Sequence, residues 1–321
     1  MSATVSALVC GLLVTAQAGR GELVRLPPIG YCPGSASLDY DFAASPVRRA
    51  TLAATAAAPR TGRAVSVSPW TSQWMPDGLI YRSYLAGVKE PRMASVWSRE
   101  KDFGPVWDIA LGGRVGIFRW GTSGPARPEG WQLDVEGGAF PRLDPVAESN
   151  PLMAVDFRAG FPLTYGCGPW HFKLAYYHIS SHLGDEFLLV NPGFPRINYT
   201  RDGLALGAGY YWNDALRLYA EVGCAPGAVG GAEPWEFQFG ADYTPPHTTT
   251  WGSPFTAVNA HLREEVSFGG NVVVQLGWQW REGTSGRLSR LGLQYYNGMN
   301  EQYEFFDDYE SKLGFGIWVD Y

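Results

Sequence analysis

After Leu79 this sequence alternates apolar and polar residues in runs about ten long, broken by Gly, Pro, Asn and Asp. A period of two belongs to strands, whose successive side chains point to opposite faces. Trp107, Ile109, Leu111, Val115 and Ile117 share one face, with Asp108 and Arg114 on the other. Trp131, Leu133 and Val135 oppose Gln132, Asp134 and Glu136, and Val272, Val274, Leu276, Trp278 and Trp280 oppose Gln275 and Gln279. Such runs predict strands over 92–99, 107–120, 131–140, 151–163, 169–181, 202–212, 215–223, 235–243, 253–261, 269–279, 287–296 and 311–321. That is about twelve, an even number. A further apolar run, Leu79 to Ala86, would make thirteen and is assigned to a leader or to a broken first strand.

Alternation alone also fits a soluble barrel with its apolar face inward, so the strand ends decide. Trp107, Trp120, Trp131, Trp170, Trp212, Trp235, Trp251, Trp278, Trp280 and Trp318 fall mostly near strand termini, where an amphipathic ring bridges headgroups and hydrocarbon. Leu313, Phe315, Ile317, Val319 and Tyr321 alternate through the last strand. That ending resembles the C-terminal signal read by the outer-membrane assembly machinery, which makes that machinery and outer-membrane lipid the expected partners. A helical bundle is excluded by a mean hydropathy of -0.14 and by the lack of an apolar run of ~20 residues after residue 20. The expected fold is an all-β, antiparallel transmembrane β-barrel with a flexible N-terminal leader, located in the outer membrane. Its charges must then face inward. Asp108, Arg114, Asp134, Glu136, Asp156, Arg158, Lys173, Arg217, Glu221 and Glu236 carry both signs, so ion pairs can fill a small lumen, against a wide porin. A net charge of -6 without a basic stripe gives no footprint for nucleic acid.

Ser6 to Ala16 form a short apolar core before Ala16-Gln17-Ala18, which predicts a signal peptide over 1–18. Residues 19–73, rich in Ala, Arg, Pro and Ser, read as a low-complexity periplasmic leader, with an amphipathic segment or a plug in the barrel as the alternative. The barrel is expected over 74–321. Cys32, Cys167 and Cys224, the odd number left after cleavage, allow one disulfide at most, match no metal spacing and are expected as isolated turn cysteines. With the last strand running inward, connections at 165–169, 212–215 and 281–286 fall on the periplasmic side and 182–201, 224–234 and 297–310 outside; 244–252 is long for a periplasmic turn.

Chemistry concentrates in Tyr177-His178-Ile179-Ser180-Ser181-His182-Leu183-Gly184-Asp185-Glu186-Phe187, which holds two of the five histidines. Phe172, Leu174 and Tyr176 define the lipid-facing side, and period two carries His178, Ser180 and His182 onto it; on the next strand Asp202, with Asn198 as the alternative, falls on the same face. A histidine two residues before a serine, with an acid or amide from the neighbouring strand, can form base, nucleophile and orienter. This element resembles outer-membrane phospholipase A, a twelve-stranded barrel with a His-x-Ser element at its outer surface. The resemblance implies Ser180 as nucleophile, His178 as base, and Asn198 or Asp202 as orienter. In that family the serine is followed by Asn-Gly and the asparagine comes sooner, whereas here Ser181-His182 follows. The plainer alternative is a polar girdle where the strand leaves the membrane. Asp185 and Glu186 offer a divalent cation two adjacent carboxylates; the sequence leaves any other cofactor unknown. The stretch from Trp74 to Tyr321, chiefly its Ser-Ser-His-Leu-Gly-Asp-Glu run, also resembles an uncharacterised family of bacterial envelope proteins catalogued as a domain of unknown function. The expected function is a structural barrel or a narrow, occluded conduit, with an outer-leaflet serine lipid hydrolase as the alternative.

Overall fold

The structure, a computed structural model, describes residues 70–321 apart from 125–126, 247–248 and 283–285. The signal peptide and nearly all of the expected leader lie outside the described residues. Among the described residues thirteen strands form one antiparallel sheet: β1 Thr71–Trp74, β2 Met93–Glu100, β3 Gly104–Gly121, β4 Gly130–Leu143, β5 Leu152–Cys167, β6 Trp170–Leu183, β7 Thr200–Tyr211, β8 Leu216–Val229, β9 Trp235–Tyr243, β10 Ser253–Arg263, β11 Gly269–Arg281, β12 Leu288–Met299 and β13 Tyr309–Asp320. Strands β2 to β13 pair in sequence order, and β13 pairs with β2, closing the ring. Hydrocarbon offers backbone groups no partner, so a membrane sheet must close.

The outward face is oily. Leu111, Phe157, Phe161, Leu206, Leu276 and Phe315 are all exposed, while Asp108, Arg114, Asp134, Asp156 and Arg217 are buried in the interior. All ten charges expected inside are there, and the protein is an antiparallel transmembrane β-barrel. Trp120, Trp131, Trp170, Trp212 and Trp280 are exposed at strand ends, as a headgroup girdle requires. Trp318 corrects that expectation. It is buried in the lumen against Phe255, with the Arg290 guanidinium 5.0 Å from its ring, because even positions of β13 face inward. The longest connection, 184–199, and the segment 300–308 lie at one end, here the loop end; 168–169 and 212–215 lie at the turn end.

The run Leu79 to Ala86 is neither leader nor strand. The edge of β3 is taken first by β1, opposite 118–121, and then by β2, opposite 104–111. Between them, residues 75–92 leave the wall and fill the lumen. This coil has no ladder, so its carbonyls need other donors, and arginines of the wall supply them. Arg119 donates to the Asp77 and Gly78 carbonyls at 2.9 and 2.8 Å, and Arg217 to those of Arg82 and Ser83, each at 2.7 Å. His171 Nδ1 donates to the Ile80 carbonyl at 2.6 Å. Tyr84 stacks on Tyr219 with ring centroids 4.0 Å apart and donates to Glu221 at 2.7 Å. At the tip, Lys89 pairs with Asp156 at 2.6 Å.

The segment 300–308, expected outside, folds inward from the loop end. Glu301, Gln302, Tyr303 and Glu304 are buried, and Lys89 lies 5.5 Å from the Tyr303 ring, so the two inserts meet. Cys224, in β8, is a free thiol, whereas Cys167 is disulfide-bonded, which agrees with the limit of one pair and corrects the expectation of isolated turn cysteines at Cys167.

Leu206, midway along β7, is 58% exposed on the lipid side. Leu206→Arg should lower folding stability by about 2–4 kcal/mol, the cost of a cation near the bilayer midplane. Reversible denaturant unfolding in lipid vesicles measures this; an unchanged midpoint would remove Leu206 from the lipid contact.

Candidate functional site

The β6–β7 register places His178 directly opposite Asp202 and Ser180 opposite Thr200. Outward parity holds along β6: Tyr176 and His182 are exposed, and His178 and Ser180 half-exposed, while Tyr177, Ile179 and Ser181 are buried. His178 Nδ1 lies 2.9 Å from Asp202 Oδ1, which also accepts from the Tyr176 hydroxyl at 2.6 Å. A ring held through Nδ1 by a carboxylate leaves Nε2 available to take a proton. The His178 and Asp202 side chains are 40% and 43% exposed. Asp202 is the third residue of β7, so the pair sits near the rim at the loop end.

Local sequence explains the geometry. A Cβ at Gly203 would come 2.8 Å from the Tyr177 hydroxyl, which passes beneath it to donate to Glu236 at 2.5 Å. The β7–β8 ladder shifts register between Asp202 and Leu204, a bulge that re-aims the residue beside it.

The other expected residues are placed differently. Ser180 forms no hydrogen bond with His178 among the described residues; two positions apart on one face of a strand, they stand roughly 6–7 Å apart at the Cα. Asn198 does not orient the histidine. It lies in the loop with a positive φ of 51°, and its backbone N–H donates to Glu304 at 3.1 Å. Asp185 and Glu186 begin the short helix α1, Asp185–Val190, and both are exposed. Asp185 faces Arg196 at 3.8 Å, and among the described residues no group of three or more His, Cys, Asp or Glu side chains is placed to hold a metal.

A second cluster, unnoticed in the sequence, lies beneath the rim. Ser181 is buried and donates to Asp156, the partner of Lys89, and accepts from the Glu304 backbone N–H at 3.1 Å. Nearby, Arg142 binds Asp108 at 2.6 Å, Glu310 at 2.5 Å and Glu301 at 3.1 Å, and Lys312 binds Asp108 at 2.9 Å, Glu310 at 2.8 Å and Glu301. Burial pushes the Glu301 carboxyl up from its ordinary value. The inward parity of these residues was the only available signal.

The family described as Protein of unknown function (DUF1207) matches residues 68–321. Comparison with curated proteins finds no match. Similar solved structures include the outer membrane phospholipase (OMPLA) dimer of Salmonella typhi with bound calcium, 13% identical with a TM-score of 0.49 over 75% of this chain and 92% of that one. Outer membrane phospholipase A from Escherichia coli is 14% identical, TM-score 0.47, over 73% and 96% of the two chains. A triple-mutant porin of Rhodopseudomonas blastica is 10% identical, TM-score 0.32, over 72% and 98%. At such identity and similarity these comparisons assign no activity.

The His178–Asp202 pair is half-exposed, so its coupling should be weak. A double-mutant cycle with His178→Ala and Asp202→Ala, read by vesicle unfolding, should give a coupling below about 1 kcal/mol. A coupling several times larger would show that lipid desolvates the pair.

Proposed function

The chain belongs to the DUF1207 family of proteins of unknown function, and we propose that it is an outer-membrane β-barrel closed along its axis, a structural barrel or at most a narrow conduit. One observation carries this reading: residues 75–92 and 300–308 meet inside the barrel at Lys89 and Tyr303. Many of the remaining inward charges are tied in pairs such as Arg114–Asp134 at 2.5 Å and Lys173–Glu221 at 2.5 Å. The outer-membrane location is supported by the closed sheet and its oily exterior. Outer-membrane lipid is then the partner of the exposed band. Full-length protein reconstituted in planar bilayers should give small or no conductance; a large stable pore would overturn the closed-lumen reading.

A second reading is an outer-leaflet lipid hydrolase, favoured by the Asp202–His178 hydrogen bond with Ser180 on the same face. In it Asp202 orients His178, whose Nε2 accepts the Ser180 hydroxyl proton as the oxygen attacks an ester carbonyl; the ester C–O bond then breaks, His178 returns the proton to the leaving alcohol, and water, deprotonated by His178 in turn, releases the fatty acid and restores Ser180. The missing His178–Ser180 hydrogen bond has to form when substrate binds, since such contacts tighten in the substrate complex. Purified barrel should release fatty acid from phospholipid or lipid A vesicles, and Ser180→Ala should reduce release by at least about 100-fold. Equal release by the two proteins would end this reading.

A further inference from the structure

At the loop end, above the Arg142 cluster, the barrel opens into a cavity of about 470 Å³, within the range of small-molecule sites. One wall is aromatic. Phe187, Phe194 and Phe305 meet edge to face, with centroids 5.1, 5.4 and 5.5 Å apart, and Phe103 and Tyr309 line the opposite rim. The polar lining is acidic: Glu100 and Glu310 on the buried floor, Asp102 and Asp308 exposed at the rim.

The chemistry of this lining selects among ligands. Its one cation, Arg142, is held by three carboxylates, so it offers no anchor to an anion. Asp108, Glu301 and Glu310 occupy Arg142 and Lys312 beneath the cavity, so the negative charge of the lining comes from Glu100, Asp102 and Asp308, which face no cation in it. A bare divalent ion suits the cavity poorly. The floor carboxylates already accept bonds, Glu100 from the backbone N–H groups of Asp102 and Phe103 and Glu310 from Arg142, and no metal-holding group of three is found among the described residues. Aromatic faces with carboxylates behind them attract a cation that carries its own apolar surface.

We propose that this vestibule binds a small organic cation, an amine or quaternary ammonium with an apolar body, its charge over the acidic floor and its body against the phenylalanine wall. The site is separate from His178 and Ser180 and needs no conduction through the lumen.

Calorimetric titration of full-length protein in maltoside micelles tests this; phosphocholine detergents are avoided because they carry the ligand chemistry. Benzyltrimethylammonium should bind saturably and at least about tenfold more tightly than benzyl alcohol or benzoate. Phe194→Ala and Asp308→Asn, both at exposed rim positions, should each weaken it about threefold or more with the thermal unfolding midpoint unchanged. Glycerophosphocholine distinguishes the sources: binding comparable to benzyltrimethylammonium points to a lipid headgroup, and weaker binding to a free cation, both within the proposed class. No saturable binding, equal binding of the three benzyl probes, preference for benzoate, or unchanged affinity in both rim variants would overturn the proposal.

Discussion

Charge that cannot reach water must meet opposite charge or a backbone dipole, and most of this interior follows from that requirement. Arg119, Arg201, Arg263 and Arg290 are fully buried on the inner face of the wall. Arg201 and Arg263 share Glu265, and Arg290 holds Asp320 at 2.7 Å. Arg119 faces no carboxylate within ion-pair distance among the described residues; its donors reach Gln132 at 2.6 Å and two carbonyls of the inserted coil. Within the coil the Gly87 N–H donates to the Tyr84 carbonyl at 3.0 Å, and the carbonyls of Asp77, Gly78, Arg82 and Ser83 accept from side chains of the wall. Each side therefore satisfies the other, and removing either leaves buried groups without partners.

The same requirement explains what could be read from the sequence. Lipid outside and charge inside impose period two, and all twelve expected barrel strands are present with ends shifted by a few residues, most at β8, which continues to Val229. Trp318 departs from the tryptophan girdle because its strand's own parity, with Leu313, Phe315 and Ile317 on the lipid side, turns it inward although it lies near a strand end. The coil over Leu79 to Ala86 was not legible as an insert. Its apolar residues resemble a strand, and the guanidinium groups that hold it come from residues as distant as Arg217 and Arg290. Loop length likewise carried no sign of direction, so 300–308 was assigned outside.

At the rim, parity placed His178, Ser180 and Asp202 on one face from sequence alone. The choice of Asp202 over Asn198 was not available, because it depends on the β6–β7 register across the long connection 184–199. The vestibule left no trace in the sequence reading, since its phenylalanines come from three separate connections.

The inserted coil leaves and rejoins the wall along one edge of β3, with β1 anchoring its start and β2 its end. A stopper fastened at both ends cannot diffuse away. If it is expelled, it remains a loop beside its own cavity, at an effective concentration fixed by chain length and independent of how much protein is present. Reseating is a first-order event within one molecule, and neighbouring barrels cannot compete for it.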